Sequence, residues 1–380
     1  MKEILYISIF LLLFFGLYKI YTNQPTLEEM VGQMIMTGFH GDGTGENQEC
    51  FTAIEEQIKS GQIGGVILYA TDIAGLKAKG LSTEEAKKQI FSSNIKSTEQ
   101  VKKLNNYLQS IAPNKLLIAL DQEGGKIQRL RPEHGFAPIP SAKHLAKGDL
   151  QTTYEIAKDL GNRLVDLGFN VNFAPLLDVD VNPLSPAIGF KERSFSDNPE
   201  IVTMYADAFA RGLDDAGMAY SFKHFPGHGS ATGDTHFGIT DITKTYQMYE
   251  LKPWQDLLKN ASPKTMVMVA HVINNNFDNL PASLSYKTIQ IVRDMGFDGV
   301  VISDSLDMIP IIAIYGIEKA VKMAIMAGND IIVFSNNLKF DKNRGRDINK
   351  MIVQMVKNGE IPKSRIKQSY NRIKKLKSNL

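Results

Sequence analysis

Short apolar runs alternate along most of the chain with segments of helical periodicity. Because glycine or polar residues bound them, these runs predict eight strands, at residues 33–39, 64–70, 115–122, 170–179, 219–225, 265–272, 298–306 and 329–335. Most intervening segments repeat apolar residues at helical spacing and end near a glycine, as helix C-termini prefer. Eight strand–helix units with strands that are apolar throughout predict a (β/α)8 barrel of the α/β class.

An open, doubly wound sheet is the alternative to the barrel. The first predicted strand is not followed by the glycine-rich phosphate-binding fingerprint of that fold. No second folded domain is evident, so residues 25–380 are predicted to form one barrel domain. Residues 71–97 are longer than a barrel loop requires, and they indicate either a small helical excursion on the active face or a solvated surface insertion.

Residues 1–24 are predicted to be a signal anchor or a signal peptide. Residues 4–18 are apolar apart from Ser8, which is a short run against the roughly 20 residues that span a bilayer. No small-residue cleavage site follows, which favours an uncleaved anchor. A buried first helix is the alternative, disfavoured because no polar face alternates with the apolar one. We therefore expect an exported protein that is membrane-anchored, periplasmic or extracellular.

The charge balance and cysteine content narrow the possible partners. A net charge of +2 without clustered excess base gives no indication of nucleic-acid binding. Cys50 is the only cysteine, so the chain has neither an intrachain disulfide nor a cysteine cluster that could bind a metal.

The segment SFKHFPGHGSATGDTHFG, residues 221–238, carries the densest chemistry in the chain. It holds three of the seven histidines, together with a lysine, an aspartate and several glycines. Histidine titrates near neutral pH, and glycine and proline mark backbone that turns. The composition therefore predicts a functional loop at the end of the fifth strand.

Titratable side chains also follow most of the other predicted strands. They are Asp121 and Glu123, Asp178 and Asp180, Lys223 and His224, Asp234 and His236, His271, and Asp304 and Asp307. Each alone is consistent with a helix cap or a structural histidine. Five of eight strands ending in such groups instead indicate a site at the carboxyl end of the barrel, where barrels of this type carry their reactive groups.

These residue types suit a two-step displacement at an acetal carbon. A carboxylate at the tip of a buried strand, as predicted for Asp304, is a rigid nucleophile or base. Asp234 and His236 are two residues apart and project to the same side of an extended segment, where the acid can orient the ring for proton transfer. Lys223 and His224 add donors for hydroxyl groups. Carboxylate attack followed by hydrolysis then describes the reaction.

Four motifs resemble bacterial glycoside hydrolase family 3, especially its single-barrel β-N-acetylglucosaminidases. They are LDQEGGKIQRL at 120–130, ERSFSDNPE at 192–200, KHFPGHGSATGDTH at 223–236 and SDSLDM at 303–308. The resemblance covers about residues 27–335.

The resemblance implies a retaining, exo-acting enzyme that removes terminal N-acetylglucosamine through a covalent glycosyl-aspartate. It implies Asp304 as the nucleophile, His236 as the acid/base and Asp234 as the partner that orients His236. It further implies that five residues grip the sugar in the −1 subsite: Asp121, Arg129, Arg193, Lys223 and His224. No cofactor or metal is implied, and peptidoglycan fragments are the expected glycan, with chitin-derived oligosaccharides next.

The chain departs from the family pattern at several points. Ser305 stands where many relatives carry a second aspartate after the nucleophile, and the segment before Arg193 is about two residues longer than usual. Other branches take a carboxylate acid/base from a second domain, whereas this chain carries the Asp-x-His loop. The apolar N-terminus also differs from that of cytoplasmic members and predicts work on the outer side of the membrane.

Other functions remain open from the residues alone. One is a β-glycosidase or phosphorylase of the same family with another sugar specificity. A metal-dependent hydrolase is a further alternative, with His224, His228, Asp234 and His236 as conceivable ligands, although their spacing across a glycine-rich loop disfavours it. A non-catalytic sugar-binding protein is the last, disfavoured because binding alone needs neither a nucleophile nor an acid/base pair.

Overall fold

The computed structural model describes residues 24–45, 47–71, 93–235, 238–337 and 339–380. Its strands are β1 (Ile35–Gly38), β2 (Gly65–Ile67), β3 (Leu117–Leu120), β4 (Val171–Asn172), β5 (Ala219–Phe225), β6 (Thr240–Asp241), β7 (Thr265–Val269), β8 (Val272–Asn274), β9 (Asp278–Pro281), β10 (Val300–Ser305) and β11 (Ile331–Phe334). All but β6, β8 and β9 pair in parallel, in chain order, and β11 closes onto β1. The predicted barrel and its eight strands are confirmed.

Helices surround the barrel. They are α1 (Leu27–Gln33), α2 (Gln48–Lys59), α3 (Thr98–Ile111), α4 (Ala142–Leu145), α5 (Leu150–Asp166), α6 (Pro199–Asp215), α7 (Lys252–Leu258), α8 (Tyr286–Asp294), α9 (Ile309–Tyr315), α10 (Ile317–Ala327), α11 (Arg344–Lys357) and α12 (Lys363–Lys377). Single 3-10 turns occur at Pro132–His134, Gly189–Lys191, Met248–Leu251 and Ala282–Leu284. Side chains such as Thr26, Asp149 and Asn198 cap helix N-termini by accepting backbone hydrogen bonds.

The fourth strand is much shorter than the predicted run of residues 170–179. β4 ends at Asn172, and Pro175 follows three residues later. Proline has no backbone N–H, so it interrupts the ladder that the apolar pattern predicts. The chain then rejoins β5, because the Leu177 N–H donates to the carbonyl of Lys223 at 2.7 Å. Asp178 and Asp180 therefore lie in an irregular segment beside β5 and not at a strand end.

Two strand pairings are irregular near the predicted site residues. The register between β5 and β7 shifts between Phe222 and Phe225, which brackets Lys223 and His224. The register between β10 and β11 shifts between Ile302 and Ser305, which brackets Asp304. Such irregularities bend a strand and redirect a side chain. Both occur at the carboxyl end of the barrel, where the site was predicted.

The predicted N-terminal segment and most of the predicted insertion lie outside the described residues. In the part of the chain that begins at Gln24, no helix is long and apolar enough to cross a membrane. Of residues 71–97, those from 72 to 92 are not described. Asn94 lies two residues after this gap, and its side chain accepts a hydrogen bond from the Tyr69 N–H at 3.0 Å and donates one to the carbonyl of Phe39 at 2.9 Å.

Asp330, immediately before β11, ties three elements together through a fully buried carboxylate. Its Oδ2 accepts hydrogen bonds from Arg293 Nη2 at 2.8 Å and from the Val301 N–H at 3.0 Å. Its Oδ1 accepts from Ser369 Oγ at 2.8 Å and lies 3.3 Å from the guanidinium of Arg365. The carboxylate therefore joins α8, β10 and α12.

Replacing Asp330 with alanine is expected to destabilise the barrel strongly. The substitution leaves buried guanidinium groups without their carboxylate, which costs about 3–5 kcal/mol in comparable buried pairs. Asp298→Ala is the matched control, because Asp298 pairs with Arg372 from a side chain that is 77% exposed and should cost less than about 1 kcal/mol. Urea unfolding of both variants measures the difference; equal free energies of unfolding would contradict the structural role assigned to Asp330.

Candidate functional site

Lys223 lies at the centre of the predicted site and is almost completely buried, with 2% of its side chain exposed. Its Nζ donates to Asp121 Oδ1 at 2.9 Å and lies 2.6 Å from Glu123 Oε1. A buried ammonium requires such partners, because removing an unpaired charge from water costs several kcal/mol. The carboxyl ends of β3 and β5 are thereby joined by charge.

Two arginines extend this cluster outward from the same carboxylates. Arg129 Nη2 donates to Asp121 Oδ2 at 2.8 Å, and Arg193 grips Glu123 through Nε at 2.8 Å and Nη2 at 2.7 Å. Burial alone would raise the pKa of Asp121, but the charges of Lys223 and Arg129 outweigh it and hold that pKa well below its usual range. Both carboxylates are therefore fixed acceptors in a strongly polar pocket.

His224 is oriented from the opposite side by Asp178, which is fully buried. The imidazole Nδ1 lies 2.7 Å from Asp178 Oδ2, and the ring Nε2 lies 3.4 Å from Arg193 Nη2. Burial favours the protonated form of Asp178, but the charge and hydrogen bond of His224 outweigh it and lower the pKa of this acid. The five predicted sugar-binding residues are thus brought into one connected cluster, although their roles stay predictions.

His228 supports the loop that follows β5. Its backbone N–H donates to Asp178 Oδ1 at 2.8 Å, and its Nε2 lies 3.3 Å from Thr235 Oγ1. Burial lowers the pKa of His228 to about 4, so the ring is neutral at physiological pH. Gly229 packs so closely on Val179 that a Cβ there would lie 1.6 Å from the Val179 carbonyl oxygen. These contacts indicate a structural role for His228.

Asp234 is described, whereas His236 lies outside the described residues. The side chain of Asp234 is 9% exposed, and its Oδ2 lies 3.4 Å from Lys191 Nζ. Lys191 belongs to the 3-10 turn Gly189–Lys191, so an element outside the loop contacts this carboxylate. The proposed pairing of Asp234 with His236 stays a prediction from the sequence.

Asp304 lies at the end of β10, two strands from β5 and at the same end of the barrel as the charged cluster. In the closed order of strands, β10 and β3 are four strands apart in either direction. Asp304 Oδ1 accepts the N–H of Ser305 at 2.7 Å. The hydroxyl of Ser305 donates to Asp307 Oδ1 at 2.6 Å. Ser305 therefore contributes a backbone donor to Asp304, while its hydroxyl binds Asp307.

Asp307 and His271 hold the end of β10 in place. Asp307 accepts backbone hydrogen bonds from Ser335 at 3.0 Å and Asn336 at 2.7 Å, which tie it to the end of β11. His271 Nε2 lies 2.9 Å from the carbonyl of Ser305, and Nδ1 lies 2.6 Å from Ser283 Oγ. Both residues therefore stabilise the backbone beside Asp304.

Tyr69, two residues after β2, is a site residue that sequence reasoning missed. The guanidinium carbon of Arg129 lies 5.4 Å from the centre of its ring, a cation–π contact. Burial and the charges of Asp121, Asp307 and Asp304 raise the pKa of its hydroxyl well above the usual value. Tyr69 therefore lies between the two halves of the site, and its position at a strand end was the signal that could have found it.

Lys191 and Glu250 were also missed. Lys191 lies in the longer-than-usual segment before Arg193, and that extra length was its only signal. Glu250 packs against Gly227, at the start of the loop after β5. The two residues are distant in sequence, so no local sequence pattern indicates this contact. Among the described residues, no group of three or more histidine, cysteine, aspartate or glutamate side chains is arranged to hold a metal ion.

The chain forms a (β/α)8 barrel, because its eight parallel strands close into a ring surrounded by helices. Its charged side chains gather at the carboxyl ends of the strands, where barrels of this class carry their active sites. Its family is shown by comparison with known proteins. The family described as glycosyl hydrolase family 3 N terminal domain matches residues 26–376. The chain therefore belongs to glycosyl hydrolase family 3.

Relatives of known name extend this comparison. Beta-hexosaminidase A of Pseudoalteromonas piscicida is 31% identical over 93% of this chain, and beta-hexosaminidase of Shewanella frigidimarina is 35% identical over 70% of it. The chain spans 61% of the length of the first relative and 81% of the second.

Solved structures agree on the fold. A glycoside hydrolase family 3 beta-N-acetylglucosaminidase from Paenibacillus sp. str. FPU-7 matches 94% of this chain with a TM-score of 0.79 and 32% identity. The chain covers 63% of that protein. A beta-N-acetylhexosaminidase from Beutenbergia cavernae, at 23% identity and a TM-score of 0.77, shares the fold over 93% of this chain.

A buried carboxyl group lies beneath the start of the loop after β5. Glu250 is fully buried, and its Oε1 accepts the Gln247 N–H at 2.9 Å. A Cβ at Gly227 would lie 3.0 Å from its Oε2. Burial raises the pKa of Glu250 to about 7.

Stability is expected to fall as pH rises because of Glu250. Its folded pKa of about 7 exceeds the ordinary value of 4.5, so the folded state holds a proton that the unfolded state has lost between these values. Glu250 therefore stabilises the fold fully below about pH 4.5, and this contribution is lost by about pH 7. Glu250→Gln, which stays neutral, should gain stability over the wild type across this window, by at most roughly 3 kcal/mol. Thermal melts of both proteins at stepped pH measure it; parallel curves would contradict the prediction.

Proposed function

We propose that this chain is a retaining, exo-acting β-N-acetylglucosaminidase that removes terminal N-acetylglucosamine through a glycosyl-aspartate. The observation that carries the proposal is the position of Asp304 near the end of β10, at the same carboxyl end of the barrel as the cluster centred on Lys223 of β5, two strands away in the closed order. Family membership supports glycoside hydrolysis, and the names of the hexosaminidase relatives support the sugar.

The charged cluster suits recognition of a sugar in the −1 subsite. Asp121 and Glu123 offer carboxylate oxygens, and Lys223, Arg129 and Arg193 offer donors, all held by mutual pairing before a ligand binds. Sugar hydroxyls both donate and accept, so a pocket with both kinds of charged partner can orient a ring. Because the partners are already fixed, little side-chain entropy is lost when the sugar binds.

The proposed reaction has two steps on this scaffold. The Asp304 carboxylate attacks the anomeric carbon while the glycosidic oxygen leaves with a proton from His236. Water, deprotonated by His236, then displaces aspartate and restores the free carboxylate. Two displacements at one carbon retain its configuration. The Ser305 N–H donates to Asp304 Oδ1 at 2.7 Å. This hydrogen bond holds one oxygen of the carboxylate in a fixed orientation during the attack.

The glycan and the compartment are further parts of the proposal. Fragments derived from peptidoglycan are the proposed substrate, and chitin-derived oligosaccharides are the competing one. The apolar run at residues 4–18 supports an exported protein that is anchored to the membrane or released from it. A protein placed outside the membrane would meet cell-wall glycans directly, which is consistent with this substrate.

A panel of aryl β-glycosides tests the sugar specificity. We expect the N-acetylglucosaminide to be cleaved with a kcat/KM at least about 100-fold above that of the glucoside, because an acetamido group adds contacts absent from a hydroxyl. Product analysis by proton NMR should show the β-anomer first, as retention requires. Parallel reactions with and without inorganic phosphate separate hydrolysis from phosphorolysis; a sugar 1-phosphate as main product would assign the chain to phosphorolysis instead.

Substitution of the proposed nucleophile and acid/base tests the mechanism. Asp304→Ala should lower kcat by more than about 1000-fold on every substrate, because no covalent intermediate can form. His236→Ala should slow substrates with poor leaving groups far more than activated aryl glycosides, which need little protonation. Glu133→Ala, a change on an exposed loop turn, serves as the control for purification and folding. Near-normal activity of Asp304→Ala on an aryl N-acetylglucosaminide would show that the mechanism is wrong.

A further inference from the structure

Lys191 reaches the loop after β5 from a separate, firmly seated turn. Gly189 opens this turn, and a Cβ there would lie 2.5 Å from Asp180 Oδ1 and 2.6 Å from the carbonyl oxygen of Asn182. The Lys191 N–H donates to the carbonyl of Ile188 at 3.1 Å, which closes the turn. The backbone that carries Lys191 is therefore fixed by packing on the segment after β4.

The same segment holds the first half of the loop. The Asn182 N–H donates to the carbonyl of Gly229 at 3.1 Å, and its side-chain amide donates to the carbonyl of Ala231 at 3.0 Å. These contacts fix the backbone before Asp234 is reached. Lys191 adds a contact of another kind, because it approaches the carboxylate of Asp234 itself, with Nζ 3.4 Å from Oδ2.

The pair is partly buried, which strengthens it relative to a surface ion pair. Asp234 exposes 9% of its side chain and Lys191 exposes 32%. Charges that are shielded from water interact through a lower effective dielectric, so their attraction is larger than on an open surface. A carboxylate has two oxygens, and a cation at Oδ2 allows Oδ1 to accept a second donor at the same time.

We propose that Lys191 is a positioning residue that sets the orientation of the Asp234 carboxylate, and through it the proton-transfer geometry of His236. This inference rests on the proposed function. Without Lys191, Asp234 keeps its backbone position but loses the cation that lies 3.4 Å from its Oδ2. Proton donation to the leaving oxygen then slows, whereas attack by Asp304 on the anomeric carbon is unchanged. Lys191 itself touches neither sugar nor reacting atoms in this assignment.

The test is a leaving-group series on four variants: Lys191→Met, Lys191→Arg, Asp234→Asn and the double variant Lys191→Met with Asp234→Asn. Lys191→Met should lower kcat/KM about 10-fold on an aryl N-acetylglucosaminide with a poor leaving group and less than about 2-fold on an activated one. Lys191→Arg keeps the cation and should restore the rate to within about 3-fold. In the Asp234→Asn background, Lys191→Met should have no further effect, because the two residues act as one unit.

Lys126→Met is the matched control. Lys126 holds the same turn from outside, with its Nζ donating to the carbonyl of Phe190 at 2.9 Å and lying 4.7 Å from the centre of that ring. This change removes the same charge beside the same turn without touching Asp234. Any effect on kcat/KM should therefore be equal across the leaving-group series. Thermal melts of all variants establish that they are folded.

Three outcomes would overturn the proposal, the first two of which come from Lys191→Met itself. One is a loss in Lys191→Met that is the same for every leaving group, and the other is full additivity of Lys191→Met and Asp234→Asn. Neither outcome touches the proposed function, which is judged separately by whether the wild type cleaves the N-acetylglucosaminide and Asp304→Ala does not. A dependence on leaving group that Lys191→Arg fails to restore would also contradict the assignment, since the cation would then not be the cause.

Discussion

The buried charge of Lys223 is the constraint on which the site depends. An ammonium that is 2% exposed is tolerable only with carboxylates in contact, and Asp121 and Glu123 supply them. Those carboxylates in turn bind Arg129 and Arg193. In the cluster, each carboxylate therefore contacts the Lys223 ammonium on one side and a guanidinium on the other. None of its members can be moved alone, which makes the pocket rigid although it is built from long, flexible side chains.

Most of the barrel could be predicted because local patterns determine it. Strand and helix positions follow from short-range apolar spacing, and the eight predicted strands all occur. The fourth strand is the exception, since its apolar run of residues 170–179 contains Pro175, whose missing N–H stops the ladder after Asn172. The hydrophobic pattern correctly predicts that these residues are buried. A buried segment forms a strand only where its backbone N–H groups can donate to a neighbouring strand, and proline has none.

The site could be predicted only as far as residue type and strand position reveal it. Asp304 and Lys223 lie at strand ends, and chemistry-bearing residues at such positions are conspicuous. Lys191 is a different case, because its contact with Asp234 spans 43 positions in sequence and depends on how a tight turn packs. Contacts of this kind arise from tertiary packing, and no spacing rule in the sequence encodes them.

The dependence of the loop after β5 on the segment after β4 has a consequence for protein engineering. Asp178 accepts a hydrogen bond from the His228 N–H, and Gly229 packs closely against the backbone of Val179. Asn182 donates hydrogen bonds to two backbone carbonyls of the loop. The loop is therefore not a portable module. Transplanting it onto another barrel would require residues 178–191 to travel with it as a second, non-contiguous graft, and recombination between relatives should succeed only at crossover points that keep the two segments from one parent.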